Sequence, residues 1–415
     1  MSLSARFKPR NPFAEYPREV GVLVFASFFV AVGFGIIAPT IPLFAKSFGV
    51  NNAQVGLIIS SFALARFASG LFAGKLVDKF GERLVYTTGV GFVAVSSFAA
   101  AFSQNYEQLL TFRAAGGLGS SMFSVAAGSI ILRATDDSKR ARVQSLYNSS
   151  FLVGMMAGPV IGGFLTAISL RAPLLVYAVL LLVSSAAGGF LLRNSVLTAR
   201  PTEKSVQEKT SIREALSSKP YLIALIISFC SASILFGMFR SILPIFMVEE
   251  MKSTAGYLGL GFTISSVIQG LLLMKAGGLS DSRGRKFSAL IGTSLLTISV
   301  LVLVGTVQPW MFLLSMIVLG FGGAFLSTTP ASMVGDVIKG KGGKVIAIFQ
   351  MAGDAGMIFG PIIIGWISDV YSYRAAFGFS AAIFAIALAL VYKIPETRNV
   401  EGPQVNNLKP LDEDL

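Results

Sequence analysis

Twelve apolar stretches occupy nearly the whole chain, each about the 20 residues a helix needs to cross roughly 30 Å of hydrocarbon at 1.5 Å per residue. Their approximate limits are 20–44, 53–76, 84–102, 107–132, 142–168, 172–192, 220–247, 255–277, 287–306, 309–335, 344–370 and 373–394. Several are separated by only a few residues, so neighbouring spans must run antiparallel. The expected fold class is an all-α polytopic membrane protein with 12 transmembrane helices. Composition agrees: 13% of residues are charged, against roughly 25% in an ordinary soluble domain. The first stretch follows Arg6, Lys8, Arg10 and Arg18, as the apolar core of a signal peptide would. It is too long for that and lacks a small-x-small cleavage site, so it reads as a retained span.

The net charge of +13 needs a location before it needs a partner. Nucleic-acid binding requires basic residues on one solvated face, whereas here they fall in short clusters between apolar runs. With a cytoplasmic N-terminus, the inner segments hold most of the 34 Lys and Arg residues. The outer loops then hold only Lys46, Arg171, Lys252 and Arg374. The positive-inside rule therefore puts both termini in the cytoplasm of a cell-membrane protein that has no nucleic-acid partner. One cysteine, Cys230, and no histidine exclude a disulfide framework, Cys/His metal sites and imidazole acid–base chemistry. No cofactor or metal is expected, and an enzyme is disfavoured. The run from Gly335 to Lys341 resembles the start of a phosphate-binding loop, but Gly342 replaces the required Ser/Thr and a membrane helix precedes it. No visible motif makes ATP the energy source.

The longest polar segment divides six spans from six. The expected organisation is a cytoplasmic N-terminal segment (1–19), a six-helix bundle (20–192), a cytoplasmic linker (193–219), a second six-helix bundle (220–394) and a cytoplasmic tail (395–415). The second half repeats the first at an offset of 202 or 203. GKLVDKFGER from Gly74 returns as GGLSDSRGRK from Gly277, setting Asp78 opposite Asp281. GMMAGPVIGG from Gly154 returns as GMIFGPIIIG from Gly356, and PLF at Pro42 as PIF at Pro244. GGLGSS from Gly116 is echoed by LGFGGA from Leu319. Two similar halves meeting at a central site form a transporter architecture.

These residues carry a family resemblance that covers the chain from about 20 to 394. The loop Gly74-x-x-x-Asp78-Lys79-x-Gly81-x-Arg83, with its second copy through Asp281, Gly284 and Arg285, resembles the signature loop of the major facilitator superfamily. Arg113-Ala-Ala-Gly-Gly-Leu-Gly resembles that superfamily's span-4 motif, implicated in proton coupling. Gly154-x-x-x-Gly158-Pro159-x-x-Gly162-Gly163 resembles the span-5 motif of its twelve-span drug:proton antiporters. Glu82 departs from the pattern, standing where a basic residue is usual. The resemblance implies two pseudo-symmetric six-helix bundles, a cavity lined by spans 1, 4, 7 and 10, and a cytoplasmic latch made by the signature loops. It also implies proton-coupled efflux of small amphipathic molecules by alternating access.

The residues themselves narrow the site. Asp354, in span 11, is the only carboxylate well inside a span, and Arg66, in span 2, lies at a similar depth near mid-bilayer. A charge facing lipid costs roughly 2.5–3.5 kcal/mol, so both should look inward and toward each other. Burial favours a protonated carboxylate and a guanidinium favours an ionised one, so Asp354 is the candidate proton site with Arg66 or Arg113 as partner. A permanent structural ion pair fits the same residues. Arg113 and Arg240 are candidates for the substrate cavity and suit an anionic or zwitterionic molecule better than a cation. Arg240 alternatively pairs with Glu249 or Glu250 or snorkels outward. Ser120, Ser124, Thr328 and Gln269 offer polar contacts on cavity spans, although the hydroxyls also suit backbone carbonyls. Gly154, Gly158, Pro159, Gly163, Gly360 and Pro361 fit a helix hinge or plain close packing. The expected unit is a monomer in the bilayer, moving protons and a small-molecule substrate. An uptake symporter for an organic anion is the alternative in the same class, and a lipid scramblase or membrane-embedded enzyme the alternative outside it.

Overall fold

The computed structural model describes residues 17–134, 137–192, 212–337 and 343–396. The expected terminal segments, most of the linker and the Gly340 end of the glycine-lysine run lie outside the described residues. Those described are all-helical and contain twelve spans: Arg18–Ile37, Asn52–Gly70, Glu82–Ala101, Tyr106–Ile131, Leu146–Ile168, Ala172–Leu191, Lys219–Glu249, Ala255–Arg283, Arg285–Val304, Pro309–Val337, Val345–Val370 and Tyr373–Tyr392. They are numbered 1 to 12 in that order. A short helix, Ile212–Ser217, precedes span 7.

Local sequence explains where the spans start, stop and bend. Asn51 and Gln54 close a capping box at the start of span 2, and Thr254 caps span 8 at the equivalent place in the repeat. Gly81 (φ +81°) ends the helix Asn52–Phe80 that carries span 2, and Gly284 (φ +107°) ends span 8, both in backbone that other residues rarely adopt, turning the chain directly into spans 3 and 9. Pro39 and Pro42 interrupt the first helix, so that span 1 continues beyond Arg18–Ile37, through Ala38, as the short helix Thr40–Lys46. Pro330 follows the break between Pro309–Leu326 and Thr329–Val337 in span 10. In span 7, Pro244 has no N–H for the carbonyl one turn back, and the helix widens into a π segment at Leu235–Ile242. Arg240 sits on that segment.

Each half has its own apolar core. One cluster gathers around Leu23, Val93, Leu109, Tyr177 and Leu181 of the first six spans, the other around Ile227, Phe239, Phe312, Phe377 and Phe384 of the last six. Large apolar side chains such as Phe72, Phe164, Phe190 and Trp310 stand exposed, which suits lipid contact.

The repeated glycines make the contacts that define the architecture. A Cβ on Gly158 would strike Gly35 and the Val32 carbonyl, and one on Gly360 would strike Ser233, with Gly237 against Gly360 in turn. Spans 5 and 1 pack like spans 11 and 7, with Gly35 and Gly237 separated by the repeat offset. Backbone approach this close is how helices associate in lipid, where apolar burial gives little net drive. Between the halves, Gly56 meets Pro361 while Gly259 meets Pro159, and Gly365 meets Asn52 and Ala53 while Gly163 meets Ala255, Gly256 and Gly259. These paired contacts obey a pseudo-two-fold relation. They close the end of the bundle opposite the signature loops, the far end. At the loop end the halves part: among the described residues, no atom beyond the adjoining helix backbone lies within 4 Å of a Cβ placed on Gly70, Gly74, Gly277 or Gly278, and Gln350 and Met351 are exposed.

Overpacking typically costs about 1–3 kcal/mol. Gly158→Val and Gly360→Val are therefore expected to lower the melting temperature of the detergent-purified protein clearly. Gly378→Ala, at a position with open space around it, should leave it unchanged or slightly raised. Equal melting temperatures for all three would show that these close contacts do not hold the helices of each half together.

Candidate functional site

A cavity lies between the halves, beneath the closed far end. Phe34, Ile37, Ala38 and Ile41 of span 1, Ile59 and Phe62 of span 2, Arg113 of span 4, Phe236 and Arg240 of span 7, and Met357 of span 11 line it. Span 10, expected from the resemblance to contribute, supplies no lining residue, and spans 2 and 11 do so instead. The space open to a water molecule's centre is about 40 Å³, enough for a few waters at about 10–15 Å³ each. This conformation is contracted around the site.

Both lining arginines lie over aromatic rings. The Arg113 guanidinium is centred 4.8 Å from the Phe62 ring. That of Arg240 lies 4.8 Å from Phe236 and 5.6 Å from Phe34. Arg113 is buried and its Nε has no hydrogen-bond partner. Arg240 does not turn to Glu249. That carboxylate instead accepts from the Tyr373 hydroxyl at 2.6 Å and faces Lys46 at 3.6 Å. Cation–π contact returns roughly 0.5–2 kcal/mol, while taking a charge out of water costs several. The rings alone do not compensate for burying Arg113 and half-burying Arg240.

The floor of the cavity is an ion pair. Arg66 is four residues from Phe62 and Asp354 three from Met357, so each lies about one helical turn, some 5 Å, nearer the loop end on the same face. The Arg66 guanidinium donates to the Asp354 carboxylate at 3.4 Å, joining span 2 of one half to span 11 of the other. Of the two sequence alternatives for the partner of Asp354, the structure brings Arg66 to it. The side chains are 39% and 25% exposed, and an ion pair this wet and this long contributes about 1 kcal/mol or less. It is weak enough to open readily. Beside it, Ala63, Met357 and Ile358 form a small apolar seal with Phe236.

The other sequence candidates are dispersed. Ser120 is buried within span 4, Ser124 is exposed, and Thr328 sits at the break in span 10. Gln269 donates to the Gly323 carbonyl at 3.4 Å, and none of the four lines this cavity. In the first signature loop Asp78 is exposed. Arg83 does not reach it, donating instead to the Gly189 carbonyl at 2.7 and 3.2 Å, because Gly81 turns the chain so that Arg83 opens span 3 beside span 6. The unusual Glu82 pairs with Arg133 at 2.7 Å. In the second loop Arg285 bonds Asp281 and, at 3.2 Å, Asp336, while Glu396 accepts the Arg285 and Lys286 N–H groups. Among the described residues neither loop bonds the opposite half. Phe34, Phe62 and Phe236 were not singled out by sequence reasoning. The available signal was Phe34-Gly35 recurring as Phe236-Gly237 at the repeat offset.

At the far end, bonds reinforce the glycine contacts. The Asn52 and Ala53 N–H groups, which open span 2, both donate to the Asp369 carboxylate at 2.8 Å. The Asn52 amide donates to Ser368 at 3.0 Å. A carboxylate at a helix N-terminus is favoured by the exposed N–H groups and the helix dipole.

Two six-helix halves, related by a repeat and meeting at a central cavity, form the architecture of a membrane transporter. The profile of the Major Facilitator Superfamily matches residues 23–251 and 225–411, and the chain belongs to that superfamily. It is 24% identical over 378 residues to an uncharacterized MFS-type transporter of Methanocaldococcus jannaschii, covering 90% of this chain and 97% of the relative. It is 26% identical over 391 residues to multidrug resistance protein 1 of Bacillus subtilis, covering 90% and 96%. Its fold superimposes on the crystal structure of a POT family transporter in complex with a thioalcohol-conjugated peptide. The TM-score is 0.74 at 13% identity, over 92% of this chain and 96% of the other. The protein is a multi-pass membrane transporter of small molecules and not an enzyme.

Hydrogen bonds to a charged group contribute about 1.5–3 kcal/mol, and each 1.4 kcal/mol is a factor of ten. Asp369→Ala should therefore increase far-end opening by about tenfold or more. The check is the rate at which an impermeant thiol reagent, applied from the far side, labels an Ala38→Cys cavity probe in a Cys230→Ser background. An unchanged rate would mean that Asp369 does not hold that end shut.

Proposed function

We propose that the protein is a proton-coupled exporter of small amphipathic molecules, working by alternating access in the cell membrane with both termini cytoplasmic. The observation that carries this reading is the Arg66–Asp354 pair, which joins the two halves at the floor of the cavity. Asp354 is the one carboxylate deep within a described span. A proton on it cancels one side of the pair, frees Arg66 and lets the floor open, and loss of the proton restores the pair. Opening is thereby tied to proton binding. The positive-inside pattern makes the loop end cytoplasmic, so the parted loop end and the closed far end correspond to an inward-facing state. Exposed Asp78, with no bond to the opposite half, fits a latch that engages only in the other state. Gly154, Gly158, Pro159, Gly163, Gly360 and Pro361 are the proposed pivots, since Pro159 and Pro361 allow bending and, with Gly163, meet the opposite half, while Gly154, Gly158 and Gly360 pack closely within their own. Export is supported by the similarity to multidrug resistance protein 1 of Bacillus subtilis.

A second reading, proton-coupled uptake of an organic anion, is favoured by one observation: the cavity lining holds two guanidiniums and no carboxylate. The direction of flux in inverted membrane vesicles with an imposed pH gradient separates the two. In those vesicles Asp354→Asn should abolish accumulation against the substrate gradient, while downhill exchange and substrate binding persist. A mutant that still concentrates substrate would remove Asp354 from the coupling.

A further inference from the structure

The ligand chemistry of the cavity can be taken further than an amphipathic molecule in general. We propose that Arg113 and Arg240 together form a site for a compact organic anion, a carboxylate carried on an aryl or short apolar body. This deepens the transport reading and rests on it for the direction and energy of movement, but not for binding itself.

The argument starts from charge balance. Ten residues line the cavity, and two of them are cationic while none is acidic. The nearby carboxylate, Asp354, is engaged by Arg66 one turn below. Glu249, toward the far end, is engaged by Lys46 and Tyr373. Arg113 is buried, and its Nε faces no acceptor. A guanidinium presents donors in a fixed fork that matches a carboxylate, so one bidentate anion placed between Arg113 and Arg240 would answer both their donors and their mutual repulsion. The remaining lining is what an apolar body requires. Phe34, Phe62 and Phe236 already hold the guanidinium planes by their ring faces, and Ile37, Ile41, Ile59 and Met357 complete the wall. A cation of the same shape would meet two like charges and no counter-charge. A neutral analogue would leave the buried donors unpaired, and sites of this kind reject such analogues strongly.

The halves are not equivalent here, although they are related by the repeat. Phe34 and Phe236 are repeat mates, but the mate of Arg240 is Ala38 and that of Arg113 is Met316. The positive charge was therefore placed once on each half, at different spans, within a framework that is otherwise duplicated.

Three ligands of one shape test the assignment: benzoate, benzamide and benzylammonium, titrated calorimetrically at fixed pH into the purified full-length protein in neutral detergent. Benzoate should bind at least about tenfold more tightly than either analogue. Arg113→Gln and Arg240→Gln should each weaken benzoate by about tenfold or more while leaving benzamide within about threefold. The comparison of ligands on the unmutated protein needs no variant to fold. A benzoate affinity no better than that of benzamide or benzylammonium overturns the proposal, as does a benzoate preference that survives both substitutions. Neither result touches the proton-coupling reading, because no gradient is imposed. Conversely, loss of pH-driven flux dependence with benzoate selectivity intact would overturn the coupling and leave the anion site standing.

Discussion

Close backbone contact between helices is the constraint on which the rest of this structure depends. A side chain gains little by leaving lipid for another helix, so what holds the bundle is the packing of helices near enough for backbone atoms to touch. Gly158 against Gly35 and Gly360 against Gly237 give that approach within each half, and Gly56 against Pro361 with Gly259 against Pro159 give it between the halves. Because the backbone-to-backbone contacts between the halves lie at one end, the residues that make them also leave the loop end free. Asp369 on the N-terminus of span 2 adds polar bonds at that closed end, and the open end has no equivalent between the halves among the described residues.

Charge is used sparingly inside this framework, and each charged group below the surface has a distinct neighbourhood. Arg66 and Asp354 face each other across the interface, partly wet, in a pair whose small net energy suits a contact made and broken in a cycle. Arg113 and Arg240 are set one turn further into the cavity wall, on aromatic faces and without acidic partners. The contrast separates two jobs. In the proposed cycle the compensated pair at the floor is the proton-responsive element, and the cations in the wall are the proposed anion site. The membership of this chain in the major facilitator superfamily gives the setting in which such a division is proposed to operate.

Much of the site was legible because lipid makes charge informative. The depth of Arg66 and Asp354 follows from counting residues along their spans, and the cost of facing hydrocarbon turns both inward, which left Arg66 and Arg113 as the two candidate partners of Asp354. The aromatic part was not legible in the same way. The chain has 34 phenylalanines, and a phenylalanine facing lipid looks no different in sequence from Phe62 or Phe236 facing the cavity. Arg240 was equally ambiguous, since Glu249 and Glu250 lay within plausible reach. The π segment that carries it follows from Pro244 only once the helix is built.

The sequence by itself determined the twelve spans, the two halves and the short list of intramembrane charges, because apolar length, repeat spacing and the energetic penalty of charge in lipid are properties of the linear chain. The tertiary structure alone decided which end is closed, which spans line the cavity, and that Asp354 meets Arg66 while Arg113 and Arg240 rest on phenylalanine rings. Those outcomes depend on how one half is rotated against the other, and contacts between residues some 290 positions apart, such as Arg66 and Asp354, are set by that rotation and by no local pattern.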